Sequence, residues 1–121
     1  MKEDNVVREK SYAFALRIVK VYRYLTDEKR EYVLSKQLLR AATSVGANVE
    51  EAVGGQSEKD FAAKLTVAYK EARETHFWIR LLRDSDYLSP PQADSLLADT
   101  DELLRIIGSI QKTMKSKLRN S

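Results

Sequence analysis

Apolar residues recur at alternating spacings of four and three along four stretches of the chain, and short breaks separate these stretches. Such spacing places the apolar side chains on one face of an α-helix. No stretch shows the apolar–polar alternation of a half-buried strand. The pattern predicts helices at roughly residues 6–25, 31–53, 58–86 and 90–118. Because short connections make successive helices antiparallel neighbours, we predict one all-α domain over residues 1–121, an antiparallel up-down-up-down four-helix bundle.

The second predicted helix has an inner face of small and partly polar residues. Small residues let helix backbones approach closely, and a buried Ser or Asn needs a hydrogen-bond partner. We therefore expect tight packing of this helix and a polar layer that fixes the helix register. The predicted layer consists of Ser44, Asn48, Glu51 and Glu74, which meet Arg40 or backbone groups.

The breaks contain residues that typically end and begin helices. Gly54 and Gly55 are expected to supply the left-handed conformation that ends a helix. Ser57 is a predicted N-cap, with Asp60 at the reciprocal position. Ser89 is expected to form a capping box with Gln92 at the start of the fourth helix.

Composition limits the classes of protein that the chain can belong to. Its 121 residues carry a formal charge of +3 and contain no cysteine, which excludes disulfides, thiolate metal sites and cysteine nucleophiles. The N-terminal MKEDNVVREK lacks the apolar core of a signal peptide, and no apolar run approaches the roughly 20 residues of a membrane helix. We expect a soluble cytoplasmic protein without membrane contact.

Catalytic and metal-binding patterns are missing from the sequence. The four glycines do not form a phosphate-binding loop. A di-metal bundle site uses Glu-x-x-His pairs, whereas the single histidine, His76, comes two residues after Glu74. The serines that begin helices are better explained as caps than as nucleophiles. We therefore expect no enzyme, no metal and no cofactor.

Basic residues recur at helical spacing on three of the predicted helices. One such stripe is usually a solvated face, but several stripes repeated by oligomer symmetry would form a multivalent cationic surface for phosphates. The chain lacks helix-turn-helix, RNA-binding aromatic and metal-finger signals, so backbone contacts are favoured over base reading. From Leu103 onward the chain has five basic residues and no acidic one. The candidate nucleic-acid-binding residues are Lys10, Arg17, Lys20, Lys36, Arg40, Arg73, Arg80 and Arg83, with His76 beside the last three.

Two large apolar residues of the third helix, Trp78 and Leu81, lie off its main apolar stripe. Base stacking by the aromatic residues of this helix is an alternative, but packing is the commoner role. We therefore predict a subunit contact in which Trp78 is the anchor.

The order and spacing of several motifs resemble a known family. The chain reads KSYAFALRIVKVYRYL, LSKQLLRAATSVGANVEEA, QSEKDF and AYKEARETHFWIRLL in succession. This resembles the 23S rRNA intervening-sequence proteins, four-helix-bundle proteins noticed as products of insertions in large-subunit ribosomal RNA genes. Ala52 departs from the pattern, which has a glycine there. The residues that carry the resemblance are Arg40, Ser44, Asn48, Glu51, Ser57, Asp60, Phe61 and Glu74.

The resemblance implies an antiparallel bundle assembled as a homopentamer, with a nucleic-acid role. The family is also distantly similar to accessory proteins of diversity-generating retroelements, which are basic pentamers that engage RNA and a reverse transcriptase. We predict a non-enzymatic oligomer associated with RNA or DNA through repeated basic faces. The alternative is a protein-interaction or scaffolding ring with no nucleic-acid role.

Overall fold

Four helices build the fold. The computed structural model of the chain describes residues 2–120, with side chains from residue 4 onward, and contains no strand over that range. Each helix packs against its two neighbours, α1 with α2, α2 with α3, α3 with α4, and α4 with α1, which confirms the predicted bundle. The helices are α1 (Lys2–Asp27), α2 (Leu34–Val53), α3 (Glu58–Asp84) and α4 (Pro90–Arg119).

The core is a single cluster to which all four helices contribute. Each helix contributes a large side chain that is at most 1% exposed: Ile18, Leu38, Leu65 and Ile107. Burial of one such side chain is worth about 1.5–3 kcal/mol. The predicted apolar stripes are thereby confirmed, since the spacing of four and three places them all toward this centre.

The small residues of α2 allow close approach to α1, as predicted. Ala41, Ala42 and Gly46 are buried. A Cβ atom built on Gly46 would lie 3.4 Å from the carbonyl oxygen of Ser11 on α1. A Cβ at this distance makes van der Waals contact with α1, so a side chain larger than that of alanine would not fit without a shift of the two backbones.

Four helix ends differ from the prediction by two residues or more, including the end of α3, which lies at Asp84 rather than at residue 86. α1 runs from Lys2 to Asp27, beyond the predicted residues 6–25 at both ends. α2 begins at Leu34 rather than at residue 31. Glu31 lies before the helix and caps it.

Glu31 caps α2 from outside the helix. Its carboxylate accepts hydrogen bonds from the backbone N–H groups of Val33 at 3.2 Å, Leu34 at 3.0 Å and Ser35 at 2.7 Å. Burial alone would raise the pKa of Glu31, but these N–H groups outweigh it and hold the pKa below the ordinary value. The cap satisfies amides that the start of a helix leaves unpaired.

The glycine prediction at the end of α2 is wrong. Gly54 has a φ of −84° and a ψ of 2°, and no glycine among residues 2–120 has a positive φ. Within the described chain, the positive φ angles belong to Arg30 and Asp86, which lie in the turns after α1 and α3. Gly55 is needed for space, since a Cβ there would lie 3.1 Å from the carbonyl oxygen of Ala52.

Both predicted serine caps are present. The Ser57 side chain accepts a hydrogen bond from the N–H of Asp60 at 3.1 Å. Ser89 and Gln92 form the full capping box at the start of α4. These caps fix where α3 and α4 begin, and so set which of their residues face each other.

Candidate nucleic-acid interface

The acidic first half of α4 forms ion pairs with α1. Lys10 Nζ lies 3.1 Å from Glu102 Oε1, and Arg17 Nη1 lies 2.7 Å from Asp99 Oδ2. Arg17 also donates to the Ser95 hydroxyl at 2.6 Å. α1 and α4 form the smallest seam of the bundle, so these polar contacts bridge helices that share little apolar surface. Two of the predicted nucleic-acid-binding cations are thus engaged within the protein.

The same half of α4 also contacts α3, through a His–Asp contact and an ion pair. His76 Nε2 lies 3.3 Å from Asp101 Oδ1, and Arg83 Nη1 lies 3.4 Å from Asp94 Oδ1. Arg83 also pairs with Asp84 at 2.9 Å. The hydrogen bond from Arg83 lowers the pKa of Asp84 below its ordinary value, and the same bond raises the pKa of Arg83. Arg83 is therefore not a free cation either.

Arg40 connects α2 to α3. Its guanidinium pairs with Glu71 at 3.2 Å and with Glu74. Glu74 Oε1 also accepts a hydrogen bond from Trp78 Nε1 at 3.1 Å. This network accounts for Arg40 and Glu74, two of the residues that carry the family resemblance, by helix-to-helix pairing.

The predicted polar layer is divided into separate contacts. The Asn48 amide donates to the carbonyl oxygen of Ser44 at 2.9 Å and to its hydroxyl at 3.0 Å, within α2. Glu51 pairs with Lys64 at 3.3 Å. Glu74 contacts Arg40, as predicted. The four residues do not form one continuous layer.

The other predicted cations point in different directions. Lys20, Lys36 and Arg73 are exposed and have no ion-pair partner within the part of the chain that the structure describes. Arg80 donates to Nδ1 of His76 at 3.1 Å and lies 5.9 Å from the centre of the Phe77 ring. One protomer does not bring the eight predicted cations together on one surface.

A different set of cations does share one surface. These side chains occupy the outer faces of α3 and of the second half of α4, are exposed, and have no ion-pair partner among the described residues. We call this set the α3–α4 cationic surface; it consists of Lys59, Lys70, Arg73, Arg105, Lys112, Lys115 and Arg119.

Contacts between α3 and α4 place these cations side by side. Gly108 lies against the Tyr69 ring, where a Cβ would be 3.5 Å away, and Gln111 donates to Thr66 at 3.5 Å. The helices are antiparallel, so Lys70 on α3 lies level with the turn of α4 around Gly108. We expect a positive potential at this surface because its seven cations are exposed and have no ion-pair partner among the described residues.

Two carboxylates near the surface have partners: Glu58 Oε1 lies 2.7 Å from Lys117 Nζ, and Asp101 contacts His76. Asp60, next to Lys59, is exposed and has no ion-pair partner among the described residues. The run without acidic residues after Leu103 is a sequence signal for the α4 part of the surface. The α3 part of the surface has no such signal in the sequence, because only the packing of α3 on α4 brings its cations beside those of α4.

Apolar side chains remain exposed near the predicted subunit contact. Leu81 is 36% exposed, and Trp78 is half-buried against the core. The Phe77 ring meets the Trp78 ring edge-to-face, with centroids 5.0 Å apart. The subunit contact at Trp78 and Leu81 stays a prediction.

Two further observations concern the described residues as a whole. They contain no group of three or more His, Cys, Asp or Glu side chains that could hold a metal ion. Among them there is also no helix with the length and apolar character to cross a membrane.

The fold and the surface define a four-helix-bundle protein with one face of unpaired cations. The chain belongs to the 23S rRNA-intervening sequence protein family, whose model matches residues 3–109. It is similar to a crystal structure from Bacteroides thetaiotaomicron VPI-5482, described as a protein with unknown function from the S23 ribosomal protein family. The two chains are 46% identical, the match covers 91% of this chain and 98% of that one, and the TM-score is 0.89. No curated protein matches this chain significantly.

Proposed function

We propose that this protein is a non-enzymatic, oligomeric bundle that associates with nucleic acid through the α3–α4 cationic surface. The observation that carries the proposal is the contrast between this surface, whose cations are unpaired, and the ion-paired cations of α1 and α3 beside the first half of α4. A cation already paired with a carboxylate has less to gain from a phosphate. The family name, which refers to an rRNA insertion, agrees with an RNA partner.

Binding by this surface would be electrostatic and largely independent of sequence. Each neutralised phosphate releases counterions, so affinity falls steeply with salt. The proposed homopentamer would present the surface five times and would add avidity without any new contact. Weak affinity of one protomer would therefore suffice.

Substitution of three cations tests the proposal. The triple variant Lys70→Ala, Arg105→Ala and Lys112→Ala is expected to reduce the slope of log affinity against log salt by about three, because about one counterion is released per phosphate contact. Gel shift of structured RNA and duplex DNA across a salt series measures this slope.

A matched triple variant separates location from net charge. Lys20→Ala, Arg23→Ala and Lys36→Ala removes the same charge from exposed positions on α1 and α2 and should leave the slope unchanged. An equal loss in both variants would contradict the proposed location. The absence of binding by the wild-type chain at low salt would exclude the nucleic-acid role.

The alternative function is a protein-interaction or scaffolding ring. It is favoured by Tyr12 and Leu16, which lie one turn apart on α1 and are 62% and 51% exposed, since exposed apolar patches often mark protein contacts. Sedimentation of wild type and Trp78→Ala measures the oligomer, which we expect to weaken if Trp78 anchors it. An intact oligomer without salt-dependent nucleic-acid binding would support this alternative.

A further inference from the structure

The α3–α4 cationic surface consists of two rows, one along each helix. On α4, Arg105, Lys112 and Arg119 recur every seven residues, which is about 10.5 Å along the helix at a rise of about 1.5 Å per residue. On α3, Lys59 and Lys70 are three turns apart. The axes of packed helices are about 8–10 Å apart, so the two rows flank the α3–α4 seam.

The width of this surface limits which duplex it can enter. A helix with its side chains is about 10–12 Å wide, so two adjacent helices present a face about 20 Å across. The major groove of B-form DNA is about 12 Å wide and admits one helix. The surface can therefore meet B-form DNA only at its outer phosphates. A-form RNA offers a wide, shallow minor groove instead, across which a broad face can lie.

Uncharged hydrogen-bonding groups occupy the region between the rows. Gln111 Nε2 on α4 lies 3.5 Å from Thr66 Oγ1 on α3. These groups can donate to and accept from a 2′-hydroxyl, which DNA lacks. The cations of the two rows would then contact the phosphates on either side.

The aromatic rings near the surface are already packed. Tyr69 is half-buried against Gly108. Phe77, although 47% exposed, has Arg80 over its ring and an edge-to-face contact with the Trp78 ring. Binding of single strands depends strongly on stacking of bases on free aromatic rings. The surface is thus better suited to a duplex than to a single strand.

We propose, on the basis of the nucleic-acid role proposed above, that the α3–α4 cationic surface binds double-stranded RNA across its minor groove. Thr66 and Gln111 contact 2′-hydroxyls, and the two rows of cations contact phosphates. The surface recognises the shape of the duplex rather than its base sequence.

Competition among three ligands tests this inference. Fluorescence anisotropy of the wild-type chain is measured with an RNA duplex of about 20 base pairs, the DNA duplex of the same sequence and one strand of the RNA. The RNA duplex should bind about tenfold more tightly than the other two, which corresponds to a few hydrogen bonds. The double variant Thr66→Ala, Gln111→Ala should lose this advantage while its affinity for the DNA duplex is unchanged.

Control variants keep the test decisive. Gln37→Ala with Thr43→Ala makes the same changes on α2 and should alter neither affinity. If circular dichroism shows that the double variant is unfolded, the single variant Thr66→Ala, at an exposed position, is used, with a loss in the same direction expected. Equal salt-dependent binding of all three ligands, or preference for DNA or a single strand, would overturn the duplex inference and leave the proposed function standing. The absence of binding by any ligand would remove both.

Discussion

The two halves of α4 share one core face and differ in what their charges do. In the first half, Asp99 and Glu102 form ion pairs with α1, Asp94 forms one with α3, and Asp101 contacts His76 of α3. In the second half the exposed charges are all positive, and most have no partner among the described residues. The charges of the first half therefore connect α4 to its neighbouring helices, whereas those of the second half are exposed to solvent.

This difference shows that the number of cations on a helix does not measure its affinity for phosphate. Arg17 and Lys112 carry the same charge, but Arg17 already has a carboxylate 2.7 Å away. A nucleic acid would have to compete with that carboxylate. The partners of a side chain across the bundle decide whether its charge is available.

The largest effect on stability is expected for core residues of α4. We expect the two halves of the helix to contribute similarly through their buried faces. Leu96→Ala and Ile107→Ala, one in each half, remove side chains that are at most 1% exposed. Each should lower the free energy of unfolding by about 2–5 kcal/mol because a cavity remains. Urea unfolding at fixed protomer concentration measures this. Ser109→Ala is the exposed control, and a negligible effect of either core variant would show that its half does not pack as described.

An intermediate effect on stability is expected for Glu31. Its charge, like the charges in the first half of α4, already has partners within the protein. Glu31→Gln should lower the free energy of unfolding at neutral pH by about 1–2 kcal/mol, since three N–H groups lose a charged acceptor. The folded pKa lies below the ordinary value of 4.5, so the carboxylate stabilises the fold above that pH. This contribution is lost as the pH falls through the folded pKa.

The pH dependence distinguishes this cap from a general effect of charge. The difference between wild type and Glu31→Gln, followed by thermal unfolding, should shrink as the pH falls below about 4.5. Glu28→Gln, at an exposed position in the same turn, should have little effect at any pH. A difference that stayed constant down to acid pH would show that the carboxylate does not act through its charge.

The smallest effect is expected for the ion pairs of α4 themselves. Asp99→Asn should lower the free energy of unfolding by about 0.2–1 kcal/mol, because the pair with Arg17 is partly exposed. High salt should abolish the difference. Lys112→Ala should leave stability within about 0.5 kcal/mol. A larger loss for Lys112→Ala than for Asp99→Asn would reverse the assignment of roles to the two halves.

The fold could be predicted from local sequence because its signals are local. The apolar spacing along α4 and the pairs Ser57–Asp60 and Ser89–Gln92 act within one or two turns. The start of α2 was less predictable, since Glu31 fits a helix by composition and acts as a cap only in its buried position. The end of α2 was mispredicted because neither Gly54 nor Gly55 has a left-handed backbone, and only Gly55 is closely approached by a neighbouring atom, the carbonyl oxygen of Ala52.

The candidate surface was predictable only in part, because it depends on which helices face each other. Spacing groups Arg73 with Arg80 and Arg83, but the pairing of Arg83 with Asp94 depends on the register between α3 and α4. The same register places Lys70 beside the basic end of α4. The acid-free run after Leu103 was visible in the sequence, whereas its neighbours on α3 were not.

Lysine acetylation footprinting by mass spectrometry, with and without structured RNA, tests the location of the interface most directly. The account predicts that RNA protects Lys59, Lys70, Lys112 and Lys115 and leaves Lys20 and Lys36 reactive. Protection of Lys20 and Lys36 with the other four unchanged, or equal protection of all six, would contradict it.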